Sequence, residues 1–124
     1  MRAFSSTKKI VFVPVDGEAL KKLTAKYPFY VEWKIPKETY GTDADTTTAA
    51  VMNIMLVSKN LSDDVVYDLL GGIYSDKGLE TIGASHATAK REIKLDTALR
   101  GITGTSVKLH PGAEKFYKEK GILK

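Results

Sequence analysis

The chain has 124 residues, enough for one domain with a buried core, and 43% hydrophobic with 27% charged residues is the balance of a globular protein, not of a disordered tail. Its net charge of +4 comes from lysines scattered beside acidic or polar neighbours, the pattern of a solvated surface and not of a nucleic-acid or anionic-membrane patch. The absence of cysteine excludes disulfides and thiol chemistry, and no stretch approaches the roughly 20 apolar residues of a membrane span.

Met1-Arg2-Ala3-Phe4-Ser5-Ser6 lacks the apolar core that a secretion signal needs. Within Lys9 to Val15, the near-continuous apolar run Ile10-Val11-Phe12-Val13 predicts a strand buried on both faces. Asp16 stands where it can cap the next helix, Glu18 falls in its first turn, and Ala19, Leu20 and Leu23 line one side before Pro28. From Phe29 to Ile35, Tyr30, Glu32 and Lys34 alternate with Val31, Trp33 and Ile35, which predicts a half-buried strand closed by Pro36. Lys37 to Ala50 reads as a polar connection rich in Thr and Asp, with Gly41 as a turn residue. Val51 to Val57 then reads as a second buried strand.

Ser62 opens the best-marked helix, with Asp63 and Asp64 in its first turn and Val65, Val66, Leu69, Leu70 and Ile73 at helical spacing. Gly71 and Gly72 cost that helix roughly 1 kcal/mol each relative to Ala, which predicts close packing against a neighbour. Short helices are expected over Leu79 to Ala84 and Lys94 to Leu99, the latter ended by Gly101. In the last helix His110 takes the N-cap position, Pro111 N1, and Gly121 the left-handed residue past the end. Glu114 precedes Lys118 by four residues, the favourable order for a surface ion pair. The small residues Gly112 and Ala113 suit a helix start laid against another backbone. The order is β-α-β-loop-β and then helices: an α/β chain of about three strands and four to five helices, lopsided for a self-sufficient domain.

Several blocks resemble a known family. Leu109-His110-Pro111-Gly112-Ala113, then Phe116-Tyr117 and Glu119-Lys120-Gly121, is similar to the ending of the TAXI family, the extracytoplasmic solute receptors of TRAP-type transporters. Leu61-Ser62-Asp63-Asp64-Val65-Val66-Tyr67 resembles one of its helix starts. Pro14-Val15-Asp16-Gly17-Glu18-Ala19-Leu20 with Tyr27-Pro28-Phe29-Tyr30 resembles a middle block, and Ile35-Pro36, Thr39-Tyr40-Gly41, Asp43 and Asp45 follow in order. The likeness runs roughly from Ile10 to Leu123. It implies the C-terminal portion of a two-lobed periplasmic-binding-protein-like (type II) fold, since the family's receptors are more than twice this length. On that expectation 1–44 end the second lobe, 45–60 form a crossover and strand, and 61–124 return as helices to the first lobe. A periplasmic or extracytoplasmic location then belongs to the full-length receptor, with any signal peptide upstream. Taken literally, the chain would instead stay in the cytoplasm.

Enzyme signatures are poor. Gly83-Ala84-Ser85-His86-Ala87 sets Ser beside His but lacks a nucleophile elbow, and His86 suits a helix end or surface. Gly101 and Gly104 lack the spacing and lysine of a phosphate loop. Asp43-Ala44-Asp45 starts like a calcium loop, but Thr48 and Ile54 replace its glycine and closing glutamate. Two histidines without cysteine suggest no metal cluster, and His110 suits capping better than catalysis.

The expected function is therefore passive and needs no cofactor: capture of a small organic acid or amino acid by lobe closure, for delivery to membrane transporter subunits. Tyr40, Thr46, Thr47 and Thr48 are the candidate ligand residues, offering an aromatic face, hydroxyls and backbone N–H donors in a segment that crosses between lobes. A polar surface loop is the plain alternative for the same residues. Arg2, Arg91 and Arg100 carry no signal that points to a cleft. The competing function is a stand-alone α/β interaction module that oligomerises through exposed strand edges. A nucleic-acid binder lacks both a motif and an aromatic-plus-Arg platform. Two apolar runs with few strands to flank them also predict a homodimer, with the Lys37 to Ala50 connection as a hinge for exchange.

Overall fold

In the computed structural model, Tyr30–Ile35 forms a strand (β1) whose alternation survives: Val31, Trp33 and Ile35 are half-buried while Glu32 and Lys34 are exposed. The structure describes residues 8–86 and 89–124; Met1–Ser6, Arg2 among them, and Ala87 lie outside these, as does the Arg91 side chain. Contacts divide the chain into two units, Met1–Asn53 with Thr103–Thr105, and Ile54–Ile102 with Ser106–Lys124.

In the first unit β1 pairs antiparallel with Thr46–Val51 (β2), in a register that sets Ile35 opposite Thr46 and Tyr30 opposite Val51. Helix α1, Gly17–Lys26, contacts β1 and buries Leu20 to 4% exposure. Asp16 takes the N-cap position, yet its side chain makes no capping bond; its backbone carbonyl accepts from the Leu20 amide at 3.2 Å. Ala19 is exposed, so Leu20 and the half-buried Leu23 carry the inner side.

The strand expected at Ile10–Val13 does not form. That stretch has no ladder, and Val11 and Val13 are 79% and 85% exposed. An apolar run is interior only where layers cover both faces, and among the described residues this unit has a two-stranded sheet and one α-helix. The second strand is displaced as well. It occupies Thr46–Val51, not Val51–Val57, and Ile54, Met55 and Leu56 are exposed. β-branched threonines favour extended backbone, and pairing with β1 selects them over the more apolar run. Among the described residues the chain is thus α/β with two strands where about three were expected.

The second unit is helical. Helix α2 spans Asp63–Ile73, α3 Asp76–Ser85, α4 Ala89–Glu92 and α5 Pro111–Glu119, with a 3₁₀ turn at Leu95–Thr97. The 3₁₀ turn stands where a helix was expected over Lys94–Leu99, and α4 precedes it where none was expected. Ser62 caps α2 by accepting from the Val65 amide at 3.4 Å, and Ser75 caps α3 by accepting from Gly78 at 3.0 Å. The core joins Val66 and Leu70 of α2 to Ala113, Phe116 and Tyr117 of α5. Phe116, 2% exposed, contributes about 2–3 kcal/mol by its burial. Tyr67 sets its ring edge-on to Phe116 at 5.6 Å and donates its hydroxyl to Glu119 at 2.6 Å. Tyr74 stacks on Phe116, and burial pushes its hydroxyl pKa up. Val65 and Leu69 remain exposed, so the buried seam of α2 is narrower than its apolar stripe.

Two glycines explain how these helices approach. A side chain on Gly112 would overlap the backbone of Asp63, which is why α5 begins with small residues. A Cβ added to Gly71 or Gly72 would meet nothing within 4 Å, contrary to expectation; a Cβ on Gly78, by contrast, would overlap the Gly72 carbonyl. At the start of α5 the His110 Nδ1 accepts from the Gly112 amide at 3.2 Å. Its Nε2 is buried and meets no partner among the described residues. Gly121 follows α5 with φ +70°, as its position predicts.

Gly112→Val is expected to cost about 2–3 kcal/mol in urea melts, because α5 must shift off Asp63. His110→Ala is expected to cost about 1 kcal/mol by loss of the cap, and His110→Asn to recover most of it, since Asn also accepts at an N-cap. An unchanged midpoint for His110→Ala would count against capping.

Candidate functional site

The connection between β1 and β2 is held at its base by one carboxylate. Pro36 ends β1 and starts a 3₁₀ turn, Lys37–Thr39, in which the Thr39 amide donates to the Pro36 carbonyl at 3.0 Å. The Thr42 amide donates to the Lys37 carbonyl at 3.0 Å, and Gly41 between them takes φ +68°. Asp45 then closes the base: one oxygen accepts from the Lys37 amide at 3.0 Å, and the other lies 3.0 Å from the Lys34 ammonium. The bond from the Lys37 amide, reinforced by Lys34, holds the Asp45 carboxyl below its usual range.

Tyr40 ends the 3₁₀ turn, half-buried, with its ring edge-on to Phe12 at 5.3 Å. The three threonines stand on β2 and not in a loop, so the alternation of the strand divides them. Thr46 and Thr48 lie opposite Ile35 and Trp33 and share the apolar side of the hairpin; Thr47 lies opposite Lys34 on the other side. Thr46 and Thr48 are thus about 7 Å apart along one face. The Thr47 carbonyl accepts from the Val15 amide at 3.1 Å, which ties the Ile10–Val15 stretch to the hairpin. The hairpin brings Thr46 and Thr48 together and separates Thr47 from them. Asp43 and Asp45 each face a lysine, Asp43 lying 2.9 Å from Lys9. His86 is the exposed residue that ends α3.

The sequence reading missed a concavity in the second unit, about 450 Å³, whose lining includes Leu69, Ile73, Gly78 and Ile82. It is open and apolar. Leu69 and Ile73 read simply as a helix face, and no local pattern marks the concavity.

Asp45 carries a testable pH dependence. Its folded pKa is depressed, so its contribution to stability is complete above the unfolded carboxyl range and disappears as pH falls through the lower folded value. Asp45→Ala is expected to lower the urea midpoint at neutral pH, and the gap from the parent protein should close below about pH 4. Because the group is exposed, the gap should also narrow in high salt. A gap independent of pH would remove the carboxylate from this role.

An aromatic ring and two hydroxyl side chains on a hairpin can meet a small polar ligand, and this chemistry alone does not name one. A family comparison gives the broader class, in which domains are of the solute-binding-protein kind. The chain belongs to the NMT1-like family, which it matches over residues 1–121.

Proposed function

We propose that the chain is a solute-binding component of TAXI type, taking a small organic acid or amino acid and presenting it to the membrane subunits of a TRAP-type transporter outside the cytoplasm. The observation that carries this reading is the family match, which spans residues 1–121 and so includes the hairpin as well as the helices. Within that frame Tyr40, Thr46 and Thr48 are the ligand-facing residues. Thr46 and Thr48 share one face, and Tyr40 stands on the turn that Asp45 secures. Hydroxyl groups of this kind donate to a carboxylate without a buried countercharge. Capture is binding followed by closure, with no bond made or broken.

One aromatic ring and two half-buried hydroxyl side chains offer few contacts, so affinity in isolation should be low, roughly millimolar. An amide NMR titration of the protein with dicarboxylates and amino acids tests the proposal. Saturable shifts gathered at Tyr40, Thr46 and Thr48, and lost in Thr48→Val, are the expected result. A panel that shifts no resonance there, or shifts that persist unchanged in Thr48→Val, would overturn it.

A further inference from the structure

The open edge of β1 has a self-complementary order of side chains. Among the described residues β1 has one strand neighbour, β2, and a two-stranded sheet alone is marginal in water. Beyond the Tyr30 amide, which donates to the Tyr27 carbonyl, its outer edge presents amides and carbonyls unpaired among the described residues, and such groups recruit another strand. The Val15 amide shows which groups these are. It donates to the Thr47 carbonyl, so the backbone of Thr47 faces away from β1. In an antiparallel ladder directly opposed residues turn their amides and carbonyls either toward each other or both away. Lys34 lies opposite Thr47; Lys34, and Glu32 by alternation, therefore turn theirs to the open edge.

Read outward from Trp33, the residues are Glu32 and Lys34, then Val31 and Ile35. We propose that β1 pairs antiparallel with β1 of a second copy, about a two-fold axis at Trp33. In that register Glu32 stands opposite Lys34 of the second copy and Lys34 opposite its Glu32, each pair exchanging two backbone hydrogen bonds. Trp33 meets its own counterpart on the other face, and Val31 meets Ile35. Shifting the register by one hydrogen-bonded step either way centres it on Glu32 or Lys34 and sets like charges face to face, which is unfavourable. Lys34 already lies 3.0 Å from Asp45, but an ammonium has three donors and can serve both carboxylates. This pairing does not depend on the identity of any solute.

Sedimentation of the whole chain across a hundredfold concentration range tests the pairing. A reversible dimer is expected. Glu32→Lys or Lys34→Glu turns two attractive cross-strand pairs into two repulsive ones and should weaken it roughly tenfold. The double reversal restores complementarity; made together with Asp45→Asn, which keeps an acceptor for the Lys37 amide and spares Lys34→Glu a like charge beside it, it should return the dissociation constant to near the value of Asp45→Asn alone, with circular dichroism confirming that each variant is folded. Since the chain has no cysteine, Trp33→Cys supplies one thiol at the two-fold position. It should cross-link under mild oxidation, whereas Lys34→Cys, facing Glu32, should not. A monomer throughout, or a dimer indifferent to the single reversals, would overturn the proposal and assign the edge to another partner.

Discussion

The helical unit depends on one close approach, the first turn of α5 laid against the backbone of Asp63 at the start of α2. Gly112 has no room for a side chain there. This contact sets the separation of the two helices, and the separation decides which residues meet. Val66 and Leu70 reach Ala113, Phe116 and Tyr117, and the hydroxyl of Tyr67 reaches Glu119 at the far end of α5. The chemistry at the helix start follows from the same constraint. Pro111 presets the first helical residue, and the His110 ring accepts the Gly112 amide that the turn leaves unpaired. The ring is only 6% exposed, and its Nε2 meets no partner among the described residues.

In the first unit Asp45 plays the corresponding part with much weaker forces. It is exposed and bridges Lys34 on the strand to the Lys37 amide just past Pro36, so both ends of the connection are held by one side chain. The hold on the Lys37 amide favours the 3₁₀ turn, the turn places Tyr40, and the register of β2 places Thr46 and Thr48 on the side of Trp33 and Ile35. The candidate site is therefore a product of turn closure more than of core packing. A carboxylate in water is readily screened or protonated, so this hold is weaker than the packing that fixes the helices.

The starts of α2 and α5 and the alternation of β1 were legible because their signals are local. Ser62 followed by acidic residues, His110 before Pro111, and Glu32 and Lys34 alternating with apolar residues each determine structure within a few positions. The misreadings share a different origin. Ile10–Val13 and Val51–Val57 are apolar enough for interior strands, but burial depends on what covers them, and a run cannot report that. Thr46–Thr48 looked like a connecting loop because polarity outweighed β-branching. Once the segment pairs with β1, the threonines alternate, and Thr47 stands on the opposite face from Thr46 and Thr48. Gly71 and Gly72 were noticed because they interrupt a helix, whereas Gly78, near the start of its own helix, mattered through contact with the preceding one.

The distribution of burial separates the two units energetically. Among the described residues of the first, Leu20 is the one buried apolar side chain, while Val11, Val13 and Val51 are largely exposed. A single buried leucine contributes about 1.5–3 kcal/mol, far less than the cost of ordering a hairpin and a helix, roughly 1–2 kcal/mol for each residue fixed. Residues of this kind gain most from whatever next covers them, whether a strand along β1, a ligand at Tyr40 or both. Anything that binds only the ordered form stabilises it in proportion to its concentration over its dissociation constant. Pairing along β1 and ligand capture at Tyr40 and Thr48 would then be linked without touching, because each rewards the same ordered hairpin and so lowers the ordering cost that the other must meet.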